Sequence, residues 1–198
     1  MLVTPRQWSG HWWFLDDRGE NGWLQGHLSI PLLNATARFI ALLAKCPGID
    51  AQRIALMGFF AGAYACTELL GSRRLPPIRG VGLGGTHGHG AEDMTDMTKV
   101  PETMRDQGFR HFADYVRRVQ GHRGAGYIEM SHSLEDTKGR YADARQIEAA
   151  LNHGQRAAGQ PLVYFRTVLP DAPSKSKHNY FVSAFLRREF FQALLGST

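Results

Sequence analysis

The run Arg53 to Leu70, RIALMGFFAGAYACTELL, carries the arrangement with the most chemical meaning in this chain. An apolar strand pattern passes through Gly58-Phe59-Phe60-Ala61-Gly62 into a helix rich in small residues. A strand that turns sharply into a helix projects its central residue out of the bend, and backbone crowds the positions two before and two after it. Gly58 and Gly62 meet that demand, while Ala63 and Ala65 let the helix approach the sheet closely. Such a bend is a platform for a nucleophile, but the projecting residue is Phe60, which has no atom that an adjacent base could activate. Cys66 lies about one and a half helical turns further on, out of reach of that apex.

In its order of strand, turn and helix this run resembles the nucleophile elbow G-x-S-x-G of the α/β-hydrolase family, with Phe60 where that family has serine. The approach IDAQRIAL is similar to the family's entry into the same strand, and the resemblance covers about residues 11 to 195. It implies an acid and then a histidine further along the chain. His132-Ser133-Leu134-Glu135-Asp136 resembles the family's H-G-x-x-D, which makes Asp136 the candidate acid and Glu135 a weaker second. His178, in SKSKHNYF before the last helix, stands where the family keeps its base. The backbone N–H of Ala61 is the implied oxyanion donor, with Thr4 to Gly10 as the remaining source of another.

The sequence departs from the family in two ways. Loss of a triad serine lowers turnover on the order of 10⁶-fold, and Ser131 and Ser133 at the acid's strand end are poorly placed to replace it. The family also carries further strands before HWWFL (His11 to Leu15), so either the sheet is reduced at its N-terminal edge or the chain is part of something longer. An uncovered strand edge calls for a partner or a loop to close it.

Strand and helix patterns alternate along the rest of the chain. MLVTP, HWWFL, RIALMG, IRGVGLGG, GYIEMSH and PLVYFRTV read as strands. Helices are expected over LLNATARFIALLAKC, with Leu33, Ala37, Ile40, Ala41 and Ala44 at helical spacing, and over 61–71, 101–119, about 141–158 and 180–195. This alternation predicts a single α/β domain over 1–198, a three-layer sandwich around a mostly parallel sheet of about five or six strands. The helix 101–119 stands where the family inserts its cap. Its stripe of Met104, Phe109, Phe112, Tyr115 and Val119 faces either a pocket or a partner.

Composition narrows the function further. Of 198 residues, 43% are hydrophobic and 21% charged, an ordinary globular balance. No apolar run approaches the ~20 residues that span a bilayer, and MLVTPRQWSG lacks a signal-peptide core. The expectation is therefore no membrane insertion and an intracellular reducing compartment, with Cys46 and Cys66 as free thiols on helices. The net charge of +5 is spread over SRR (Ser72 to Arg74), Arg117–Arg118 and SKSK (Ser174 to Lys177) without interleaved aromatics, which speaks against nucleic acid. His87, His89, Glu92 and Asp93 offer metal-ligating types, but no third ligand has diagnostic spacing, so neither metal nor cofactor is expected. GLGGTHG lacks the Lys-Ser or Lys-Thr pair of a phosphate loop.

The expected function is that of a hydrolase-like protein without serine hydrolysis, working as a binding or assembly subunit through the N-terminal sheet edge or the 101–119 helix. The alternative is an active esterase or peptidase that uses another nucleophile with Asp136 and His178.

Overall fold

The computed structural model describes residues 15–16, 27–28, 30–59, 61–86, 113, 115–136, 141–168 and 188–195. Four parallel strands form the main sheet: β3 (Ala55–Phe59), β4 (Gly80–Gly84), β5 (Tyr127–Ser133) and β6 (Tyr164–Val168). They lie side by side in chain order, β3-β4-β5-β6. A separate antiparallel ribbon joins β1 (Leu15–Asp16) to β2 (His27–Leu28). The α/β class thus stands, but the expected sheet of five or six strands is corrected to four among the described residues. Of the segment HWWFL, Leu15 is described and pairs with Leu28 in the ribbon, while residues 11–14 lie outside the described residues. The N-terminal segment MLVTP lies outside the described residues.

Helices α1 (Ile30–Leu43), α2 (Ala61–Gly71), α3 (Tyr141–Ala157) and α4 (Arg188–Leu195) accompany the strands, with a helical stretch over 115–120. Parallel neighbours require such crossovers, because a tight turn cannot return the chain to the same end of the sheet. Register assigns the faces. Gly80 pairs with Tyr127, and both meet α4, where Phe190 is fully buried and its ring lies 6.0 Å from that of Tyr127. A side chain at position 80 would collide with Leu194. By alternation Val81, Leu83, Ile128 and Met130 point to the opposite face, and all four are fully buried there.

Helix α2 is apolar on all sides, and every residue from Ala63 to Leu70 is buried, as expected for a helix enclosed by protein. Its one charged member, Glu68, is held at the junction with the 115–120 helix. Arg118 donates to it twice, Nε to Oε2 at 3.0 Å and Nη2 to Oε1 at 2.5 Å, and the Tyr64 hydroxyl donates at 3.1 Å. Burial first, and then the Glu68 charge, push the Tyr64 phenol well above its ordinary value, so it stays a donor. Thr67 and Tyr115 share a hydroxyl contact beside them.

Helix α3 buries Ala144, Ile147, Ala150, Leu151 and Gly154, one stripe at three- and four-residue spacing. Its polar members fix where the strands begin. The Gln155 amide donates to the carbonyls of Ala125 (2.9 Å) and Pro161 (2.7 Å), and its oxygen accepts from Ala125 N at 2.8 Å. Asn152 accepts from Val163 N at 2.8 Å. These bonds occupy the groups a ladder would need, so β6 starts at Tyr164 and not at Pro161 as the apolar run suggests.

The other expected helices shift at their ends. α1 stops at Leu43, and tighter bonds from Lys45 N to Leu42 O and Cys46 N to Leu43 O follow it, since the residue before Pro47 is turned away from helical geometry. Cys46 therefore sits exposed in a turn, a correction to its helical placement, while Cys66 is buried in α2. Residues 101–112, most of the expected cap helix, and 180–187 lie outside the described residues.

His122 gives the fold a pH dependence. Its Nε2 lies 2.9 Å from Leu151 O and its Nδ1 accepts from Gly124 N at 3.0 Å, a pattern that fits only the neutral ring with its proton on Nε2. Burial lowers its pKa from the ordinary 6.5. A depressed folded pKa means the unfolded chain takes up the proton first as pH falls. The stabilisation from His122 is then complete above about 6.5 and fades as pH drops from there toward the depressed value. Urea unfolding midpoints are expected to fall between pH 7 and pH 5 in the native chain, with a shallower slope in His122→Gln.

Candidate functional site at the carboxyl end of the sheet

β3 ends at Phe59 and α2 begins at Ala61, so position 60 alone separates strand from helix. Gly58 faces α2 across this bend. A β-carbon built on it would fall onto the carbonyl carbon and oxygen of Gly62 and lie 2.6 Å from Ala63 N. Only glycine fits there. Gly62 differs, because a β-carbon on it meets nothing within 4 Å among the described residues. Among the described residues the crowding anticipated on both sides of the apex is present before it and not after it. Helix α2 opens toward the apex with the first-turn amides of Ala61 and Gly62, which have no acceptor within the helix and carry the positive end of its dipole.

Phe60 and His178 lie outside the described residues, as do His87, His89, Glu92 and Asp93. Asp136 is described. The chain leaves β5 at Ser133 and folds back in a turn closed by Asp136 N to Ser133 O at 3.3 Å, with Glu135 N donating to Ser133 Oγ at 3.2 Å. Asp136 is half-buried and Glu135 exposed at this carboxyl edge. The motif's histidine lies in the strand, as the run GYIEMSH predicts. His132 belongs to β5, fully buried, its ring 6.0 Å from that of Tyr141 at the start of α3.

Three further groups line this end of the sheet. Thr86, Ser131 and Ser133 are buried just beyond or at the ends of β4 and β5, and Gly85 N donates to Ser131 O at 3.0 Å. Gly85 takes a left-handed φ of 58°, which turns the chain off β4 at this point. Thr86 Oγ1 has no hydrogen-bond partner among the described residues, an uncommon condition for a buried hydroxyl. Thr86 went unnoticed in the sequence because GLGGTHG reads as an undifferentiated glycine loop; its signal was only that it follows a buried strand. The hydroxyl of Tyr141 lies 2.9 Å from that of Thr167 on β6.

Cys66 is the one thiol near the elbow helix, and burial pushes it up to about 12. It holds its proton at neutral pH and is no substitute for the missing serine. Among the described residues no group of three histidine, cysteine or carboxylate side chains could hold a metal ion, and no helix is long and apolar enough to cross a membrane. Compared with protein-family models the chain matches none, and no curated protein matches it.

Proposed function

We propose that this protein is a hydrolase-like scaffold that has given up serine hydrolysis and serves as a binding or assembly subunit. The observation that carries the reading is the bend between β3 and α2, where the glycine-dependent contact of Gly58 with the Gly62 backbone is retained although the apex residue is phenylalanine. A turn that tight costs backbone freedom and has no evident purpose without a residue to project. Phe60 cannot form an acyl intermediate, and Asp136 with His178 then constitute a relic pair in a site that retains amide donors at Ala61 and Gly62.

The assembly half of the proposal rests on the sheet edge. Among the described residues nothing pairs with the outer side of β3, and Met57 on that strand is 43% exposed. Open edges of this kind attract another strand. The test is covalent labelling with a fluorophosphonate, together with gentle extraction followed by size analysis. No labelling and a stable complex with other subunits are expected. A labelled serine would instead establish an active hydrolase, and a lone monomer would remove the assembly role. Phe60→Ser adds a further reading: labelling at position 60 would mean that base and oxyanion donors are still in place.

A further inference from the structure

We propose that a second site, at the opposite end of the sheet, binds a small organic molecule carrying two or more phosphoryl groups. The proposal stands apart from the hydrolase-like reading. A cleft of about 610 Å³ opens where β3, β4 and β5 begin, lined by Arg53, Arg73, Arg79 and Arg123 and, among the described residues, by no acidic one. That volume lies within the range of small-molecule sites.

The charge around this cleft is neutralised only in part among the described residues. Arg53 pairs with Asp50 at 3.0 Å, but among the described residues no carboxylate pairs with Arg73, Arg79 or Arg123. Like charges gathered around one concavity repel, and a multiply charged anion relieves that repulsion.

The guanidinium groups are also pre-set. Arg73 Nε donates to Gly121 O, and Arg79 Nε donates to Ala193 O at 3.1 Å. Both bonds fix the plane of the head group; that of Arg73 rests against Gly121 beside the cleft, while that of Arg79 leaves its terminal nitrogens for a ligand, the fork that suits phosphoryl oxygens. Arg73 holds a left-handed φ of 57°, the single non-glycine residue to do so among those described. This left-handed residue ends α2, with Arg73 N donating to Leu70 O, and so fixes where its side chain leaves the helix.

The wall behind the arginines is rigid. Gly126 N donates to Ile78 O at 3.0 Å, Arg79 N donates to Ile54 O at 2.8 Å, and Gln155 clamps Ala125 from α3. Leu75, Pro76, Pro77 and Leu194 supply an apolar surface beside the charge. This combination fits a phosphorylated compound with a planar or apolar body better than a nucleic-acid strand, since among the described residues no aromatic side chain lines the cleft for base stacking.

Titration calorimetry of the full chain at fixed ionic strength, with sodium tripolyphosphate and with ATP as probes, tests the assignment. One saturable site is expected for at least one probe. Tighter binding of ATP assigns the apolar wall to the organic body, whereas equal binding assigns recognition to the phosphoryl groups alone. Arg73→Gln and Arg123→Gln are each expected to weaken binding about tenfold or more, the loss of one charged hydrogen-bonding partner. Arg123 makes no intramolecular bond among the described residues, so its variant keeps the test valid should Arg73→Gln unfold. Arg38→Gln, on the exposed side of α1, is expected to bind as the native chain does. Absence of saturable binding with both probes, or equal weakening by Arg38→Gln, overturns the site. Tighter binding of a single-stranded oligoribonucleotide than of ATP overturns its small-molecule character.

Discussion

Gly58→Ala is expected to destabilise the protein by about 3 kcal/mol or more, because the added methyl group has backbone and not a flexible side chain in its way. The methyl would occupy the position of the Gly62 carbonyl, so either β3 must shift within the sheet or α2 must lift away from it. Both moves disturb the core, since Leu56, Leu83 and the buried run from Ala63 to Leu70 pack at that junction. Gly62→Ala is the matched control. Its methyl meets nothing within 4 Å among the described residues near the start of a helix, where alanine is favoured over glycine by up to about 1 kcal/mol. Urea unfolding of the two variants should therefore move in opposite directions from the native chain. A tolerated Gly58→Ala would mean that the tight bend is not a fixed feature of the fold, and the reading of a retained elbow would go with it.

The second large effect concerns Arg118. Glu68 is fully buried and draws three hydrogen bonds, two of them from this guanidinium. Arg118→Met leaves the carboxylate enclosed with only the Tyr64 hydroxyl among these donors, and a loss of about 3–5 kcal/mol is expected. The reciprocal change is milder. In Glu68→Gln the arginine, whose side chain is 39% exposed, can turn to water and the amide still fills the space. The double variant Arg118→Met, Glu68→Gln should recover most of the lost stability, because the cost comes from the unmatched charge and not from the missing attraction. Equal losses in Arg118→Met and in the double variant would show that the arginine acts through packing alone.

The sequence revealed the centre of this fold better than its margins. β3, α2 and α3 emerge close to their expected bounds, α3 because it has a clear apolar period, β3 and α2 because the glycine bend between them marks where one ends and the other begins. The start of β6 was not legible, since Gln155 and Asn152 reach it from a helix and no local pattern reports such a contact. HWWFL looked like a sheet strand because short aromatic runs suit a ribbon and a sheet equally well. For the candidate site, the glycine requirement at position 58 was readable from the spacing of the bend, while at 62 no atom of the described residues imposes one. His132 was legible as part of the strand GYIEMSH, because the alternation of Ile128 and Met130 continues through it. The arginine cleft was invisible for a different reason. Its members stand far apart in the chain, and only the alignment of three strand starts brings Arg53, Arg79 and Arg123 to one end.

The strand order of the sheet bears on how the chain acquires its shape. Every strand in it docks on the one made just before, so no pairing has to wait for a remote segment to arrive. A ribosome releasing this chain would add one βα unit at a time to a surface already formed, and each addition would hide the edge exposed by the last.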